Sequence, residues 1–337
     1  MYKPLLGPCD SLSLEPFAYP WAWEQARMRE QDNWAPEEIP VAKDIALFKS
    51  PTLPSPERIV FLSLMEQLTA FDIQRGDDVA EIALRVFQPA EIKHFFKRLI
   101  WEEALHTRSY RYIIENFGIG TDIYDQWQIV PEMKRRIEFA QEQSAVVVCN
   151  LENNEPARWN RVQKQDFLKS LIFWFLIFEG IWFMLNLKGP LQSMARRGLF
   201  INAAEQFQYI ARDEEGHVRF GTDLIVEFIR QYPETWTPSF KNRIRELFNI
   251  GIALEKDYTA YVHREGPILG YNVTDHVETA QVFANAKLQC LGLEPLWPKA
   301  KHRFPWMGEQ LELRKEKNFF ETRVTEYQTG GSLKWDD

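Results

Sequence analysis

Glu102-Glu103-Ala104-Leu105-His106-Thr107-Arg108-Ser109-Tyr110 sets a carboxylate, an imidazole and a phenol on what should be the apolar stripe of a helix. Leu99, Glu103, His106, Tyr110 and Ile113 recur at helical spacing, so Glu103 and His106 project together toward the interior. Glu-x-x-His spans about one turn, which lets both side chains reach a single ion. The pattern returns in Ala211-Arg212-Asp213-Glu214-Glu215-Gly216-His217, where Phe207, Ile210, Glu214, His217, Gly221 and Leu224 share a face. Two further helices each offer a lone carboxylate on an apolar face: Asp72 behind Phe61, Met65 and Leu68, and Glu179 among Phe175, Trp182, Phe183 and Asn186.

One Glu-x-x-His would mean little, and a third copy exists at Glu91 and His94, just after Pro89. Glu91 suits the first turn of a helix, where a carboxylate faces the positive end of the dipole, and we read that copy as structural. The plain alternative for the other two copies is a pair of core histidines, each bridged to its own glutamate. It leaves Asp72 and Glu179 unexplained. Four carboxylates and two imidazoles converging in a core would repel one another unless about two divalent cations neutralised them, because unpaired buried charge is expensive. Ferritin-like di-iron and di-manganese bundles are the standing example of this ligand set, so the match recognises a known arrangement. Oxygen-rich ligation with few imidazoles favours Fe or Mn over Zn or Cu.

Outward from these motifs the pattern stays helical. From Ser55-Pro56-Glu57, a cap followed by Pro at the first helical position, helices are expected near 56–75, 79–87, 89–117, 131–149, 163–187, 190–197, 200–231, 238–264 and 272–291. Strand-like alternation is essentially absent, which predicts an all-α bundle. We divide the chain into an irregular N-terminal arm of the same domain, 1–54, rich in Pro and Trp and carrying only short helices; a helical domain, 55–314; and a flexible C-terminal tail, 315–337, with Gly330-Gly331 and no periodicity.

Bulk properties narrow the function. The 337 residues, 45% hydrophobic and 14% aromatic, suffice for a large core. A net charge of −8 with no basic run argues against a nucleic-acid surface. Leu171 to Leu185 is apolar apart from Glu179 and Gly180, but it is shorter than the roughly 20 residues a bilayer requires. It reads as a buried core helix. Cys9, Cys149 and Cys290 form no paired spacing, which fits a reducing cytoplasm, and Met1 to Asp10 lacks the pattern of a signal peptide.

From about Trp21 to Gln328 the chain resembles the small subunit of class I ribonucleotide reductase, a ferritin-like family. The segments that carry the likeness are Trp34-Ala35-Pro36-Glu37-Glu38-Ile39, the two Glu-x-x-His motifs, Phe178-Glu179-Gly180-Ile181-Trp182-Phe183, and Asn318-Phe319-Phe320-Glu321-Thr322-Arg323-Val324-Thr325-Glu326-Tyr327-Gln328, in the family's order. The resemblance implies that Asp72, Glu103 and His106 bind one metal and Glu179, Glu214 and His217 the other. It implies that Tyr110 is the radical tyrosine, shielded by Phe183, Leu187 and Ile210. Trp34, Asp213 and Tyr327 would relay the radical, and the tail would dock on a large subunit, with the small subunit itself a homodimer. O2 would activate the centre.

The segments Tyr19-Pro20-Trp21-Ala22-Trp23-Glu24, Gly266-Pro267-Ile268-Leu269-Gly270 and Phe304-Pro305-Trp306-Met307 look most like the chlamydial-type branch, in which a Phe replaces the radical tyrosine and a Mn/Fe pair stores the oxidant. Position 110 is Tyr here. Fe/Fe is therefore the first reading, with Mn/Fe and Mn/Mn open. The competing readings are a ferritin-like oxidase, either ligand-binding oxidase or desaturase, and a metal storage protein.

Overall fold

The structure is a computed structural model that describes residues 4–7 and 14–308. Among these residues no β-strand occurs, and the one isolated bridge pairs Ile268 with Tyr271. Ten helices carry the architecture. They are α1 (Pro20–Glu30), α2 (Ala42–Lys49), α3 (Ser55–Asp78), α4 (Ala90–Phe117), α5 (Pro131–Asn153), α6 (Arg161–Ile172, continuing through Phe173–Phe183 and Met184–Lys188), α7 (Pro190–Ala195), α8 (Ile201–Gln231), α9 (Pro238–Val262) and α10 (Val273–Cys290).

Their ends follow local chemistry. Asn160 accepts from the backbone of Val162 and Gln163 at 2.8 and 3.1 Å while the Gln163 side chain accepts from the Asn160 N–H, a reciprocal cap that starts α6. Thr237 and Asn272 cap α9 and α10 in the same sense. Proline opens α1, α3, α5, α7 and α9, where its missing N–H is no loss.

The bundle is assembled by face-to-face pairs: α3 on α4, α8 on the middle of α6, α1 across α4 and α8, and α9 against α5 and α10. Aromatic stacks lock these pairs, with Phe95 of α4 on Phe220 of α8 at 3.6 Å between centroids and Phe61 of α3 on Phe200 at 4.3 Å. A second, wholly buried ionic knot ties α5, α9 and α10: Arg136 Nη2 lies 2.8 Å from Glu255 Oε2, and His276 Nε2 lies 2.7 Å from Glu255 Oε1. The segment from Arg161 to Ala195 is long and apolar enough to cross a membrane, but its apolar window is entirely buried inside the chain. It is the central core helix.

Two expectations need correction: the helix expected at 79–87 opens with a π-wound turn, Val79–Ala83, that runs on from α3, and the second departure is longer. The sequence pattern predicts a uniform α-helix over 163–187, whereas Phe173–Phe183 is wound as a π-helix. The wider turn changes which residues share a face, and such segments gather at functional sites. Glycine makes the neighbouring contact possible: a Cβ on Gly221 of α8 would lie 2.0 Å from Phe175 Cγ. Gly221→Ala is therefore expected to destabilise the protein by about 1–3 kcal/mol, read as a lower Tm. An unchanged Tm would mean that α8 does not approach the π segment this closely.

Candidate metal centre

The four helices that the sequence marks for stray carboxylates, α3, α4, α6 and α8, meet in the middle of the bundle. Their donors form two overlapping groups, Asp72, Glu103, His106 and Glu214, and Glu103, Glu179, Glu214 and His217, each with ligand atoms all within 4.8 Å of one another. All six residues are buried, at 1% exposure or less. The structure thus brings together every sequence-predicted ligand. It differs in one respect, because Glu103 and Glu214 lie within reach of both positions and are not divided between them.

The donor atoms fit a cation. Both oxygens of Asp72, both of Glu103, Glu179 Oε2, Glu214 Oε1 and His106 Nδ1 are buried without a hydrogen-bond partner. A native core rarely tolerates one such atom, and here seven of them converge. In the metal-free chain, protons do part of the neutralising. Burial disfavours charge on His106 and His217, but the surrounding carboxylates outweigh it and raise both imidazoles well above their usual range. Burial would likewise raise Glu214, yet the charges of His217 and His106 bring it to about 2. Glu179 goes the other way, pushed by burial up to about 8 despite the Arg75 guanidinium beside it.

Behind the donors lies a second set of acids, and it is crossed. His106 Nε2 on α4 donates to Asp213 Oδ2 on α8 at 3.3 Å, while His217 Nε2 on α8 donates to Glu102 Oε2 on α4 at 2.9 Å. Each Glu-x-x-His is preceded by the acid that orients the other helix's histidine. Arg29 of α1 joins the two: its Nε donates to Glu102 Oε1 at 3.1 Å, and its Nη2 pairs with Asp213. Gly216 leaves room for it, since a Cβ there would sit 2.7 Å from Arg29 Cδ. Burial alone would raise Asp213, but the hydrogen bond from His106 and the charge of Arg29 hold it well below the usual carboxylate range. Trp34 Nε1 donates to the same Asp213 Oδ2 at 2.8 Å, completing a chain His106–Asp213–Trp34.

The remaining predicted residues are placed as follows. Tyr110 is fully buried, its hydroxyl has no hydrogen-bond partner, and Phe207 packs edge-on at 5.9 Å. Burial first, then the charge of Asp72, raises its phenol well above the ordinary range. Phe183, Leu187 and Ile210 are all buried, with Phe183 packed on Phe178 at 5.1 Å. Tyr327 and the tail lie outside the described residues. The third copy of the motif is structural: Glu91 Oε1 accepts from the backbone of Ala18 and Tyr19 at 2.7 and 2.9 Å, and His94 pairs with Glu30.

Sequence reasoning missed Glu102, Arg29, Arg75 and Phe207. For Glu102 a signal existed, in that an acid immediately precedes the glutamate of both motifs. Arg29 and Arg75 gave none, because nothing along the chain marks an arginine as reaching the core.

Because protonated histidines stand in for cations, metal binding must displace protons. The Mn(II) affinity of the metal-free protein is expected to rise with pH between about 6 and 8, with proton release visible by calorimetry in buffers of different ionisation enthalpy. Asp213→Asn or Glu102→Gln is expected to weaken binding about 10- to 100-fold. A pH-independent affinity would show that the histidines are not ligands.

Comparison with known proteins agrees with this geometry. The family model for the ribonucleotide reductase small chain matches residues 11–305. The chain is 34% identical over 328 residues to the ribonucleoside-diphosphate reductase subunit beta of Chlamydia pneumoniae, covering 97% of this chain and 92% of that one. It is 24% identical over 321 residues to the subunit beta of Halalkalibacterium halodurans, covering 94% and 88%. Among solved structures, the ribonucleotide reductase R2 subunit from Clostridium botulinum superposes with a TM-score of 0.77 at 27% identity, covering 88% of this chain and 89% of that one. The dimanganese(II) NrdF of Streptococcus sanguinis gives 0.72 at 17% identity, covering 90% and 100%, a likeness of fold. A family match across most of the chain, joined to a buried dimetal-type donor set in a ferritin-like bundle, shows that the chain belongs to the class I ribonucleotide reductase small-subunit family, which works with a large subunit to make deoxyribonucleotides.

Proposed function

We propose that Asp72, Glu103, His106, Glu179, Glu214 and His217 hold two metal ions, with Glu103 and Glu214 shared, and that Tyr110 stores the oxidising equivalent produced there. The observation that carries this reading is the set of orphaned donor atoms facing one another, with the equally orphaned Tyr110 hydroxyl one turn beyond His106. When bound and reduced, the metal pair would supply the reaction with O2 that generates the equivalent. Fe/Fe is our first choice because an oxidisable Tyr occupies position 110; Mn/Fe and Mn/Mn suit the same oxygen-rich donors.

The chain's own residues then have distinct tasks. The Tyr110 phenol, held protonated by burial and the nearby Asp72 charge, must lose its proton as it is oxidised, and Asp72 is the carboxylate it faces. Phe207, Phe183, Leu187 and Ile210 keep water and reductants away. His106, Asp213 and Trp34 form the hydrogen-bonded route outward, and Tyr327 would continue it toward the large subunit. Asp213 suits this task because it accepts from both neighbours at once on Oδ2. We further propose that the chain acts as a cytoplasmic homodimer and that residues 315–337 dock it on the large subunit. Family membership sets aside the oxidase and storage alternatives.

Two experiments test this reading. Protein loaded with Fe and exposed to O2 is expected to give a tyrosyl doublet in electron paramagnetic resonance that disappears in Tyr110→Phe while two metals per chain remain bound. A doublet that survives the substitution would remove Tyr110 from the mechanism, and a coupled Mn/Fe or di-manganese signal from samples loaded with both metals or with Mn, with no doublet in the Fe-loaded sample, would move the oxidant to the metals. Deleting residues 320–337 is expected to leave the metal content unchanged and to abolish turnover with the large subunit; undiminished turnover would sink the docking role.

A further inference from the structure

Arg75 lies one turn beyond Asp72 on α3, and among the described residues it is the arginine that pairs with a candidate ligand directly. It is 4% exposed, and its Nε donates to Glu179 Oε1 at 2.6 Å. Its guanidinium carbon sits 4.7 Å from the Phe175 ring centre and 5.2 Å from that of Trp174, both on the π segment that carries Glu179. The two aromatic faces and the carboxylate fix it from three sides. Glu179 Oε2, the oxygen that Arg75 leaves free, is without a hydrogen-bond partner, whereas both oxygens of Asp72 are free. The two lone carboxylates of the centre are therefore not equivalent.

Resting on the dimetal reading, we propose that Arg75 is a positioning residue that restricts Glu179 to one metal-facing oxygen and makes the two metal positions unequal. Four carboxylates balance two divalent ions in formal charge, and the buried guanidinium, paired with Glu179, adds a further positive charge beside them. It acts in a dry interior where Coulomb interactions are strong. The position served by Glu179 thus loses one potential oxygen donor and gains a repelling neighbour. The position served by Asp72 has neither handicap. Arg75 leaves the Glu179 position the more weakly held of the two and the more open in its coordination.

Mn(II) titration of the metal-free protein, with electron paramagnetic resonance of the bound ions, tests this. Wild type is expected to bind two ions with unequal affinity. Arg75→Gln is expected to tighten the weaker ion about tenfold and alter its resonance, while Arg75→Lys, which keeps the charge, stays within about threefold of wild type. A crystal structure of the Mn(II)-loaded wild-type protein tests the geometry without any substitution: Glu179 Oε1 should remain on Arg75 with Oε2 on the metal. Two ions of equal affinity, an unchanged Arg75→Gln titration, or both Glu179 oxygens on metal with Arg75 turned away would each overturn this proposal alone. Failure of the wild type to bind Mn(II) at all would overturn the dimetal reading, and this proposal with it.

Discussion

Repulsion among Asp72, Glu103, Glu179 and Glu214, all buried at 1% exposure or less, is the constraint on which the rest of the structure depends. Four carboxylates in a low-dielectric interior would drive a bundle apart unless something positive stood among them. The bundle answers at three depths. Metal ions would take the centre, His106 and His217 stand among the acids, which raise both imidazoles well above their usual range, and Arg29 and Arg75 supply positive charge from outside. The large aromatic content of the surrounding helices provides the apolar burial that offsets so costly an interior.

The crossed arrangement of Glu102 and Asp213 explains how α4 and α8 hold register. Each helix orients its neighbour's histidine, so a slip of either would break two hydrogen bonds and misdirect both imidazoles. Arg29 adds the arm to this arrangement, since one guanidinium from α1 bridges the orienting acids of both histidines. A segment that wraps the outside of the bundle thereby contributes to the geometry of its centre. Trp34, farther along the same arm, joins through Asp213.

The π segment serves the same end by a different means. A wider winding over Phe173–Phe183 lets one helix stack Trp174 and Phe175 on Arg75 while delivering Glu179 to the donor group. The close approach of α8 at Gly221 then seats that segment against the bundle. Tyr110, one turn from His106, inherits a dry and unpartnered position from the same packing.

The sequence by itself determined the fold class and all six candidate ligands, because both are local properties: helical periodicity and side chains one turn apart on a named face survive in the linear order. It also separated Glu91 and His94 from the two core-facing motifs through the dipole at a helix start. It carried the family through motifs in a fixed order, and relatives of Chlamydia pneumoniae and Clostridium botulinum agree. Tertiary structure alone decided that Glu103 and Glu214 belong to both donor groups, that Glu102 and Asp213 serve opposite helices, and that Arg29 and Arg75 enter the core. Those are contacts between residues as far apart as 184 positions, as for Arg29 and Asp213, and no periodicity along a chain records which distant surface a side chain will meet. The π winding escaped for a related reason: an apolar run buried on every side carries no polar face from which its period can be read.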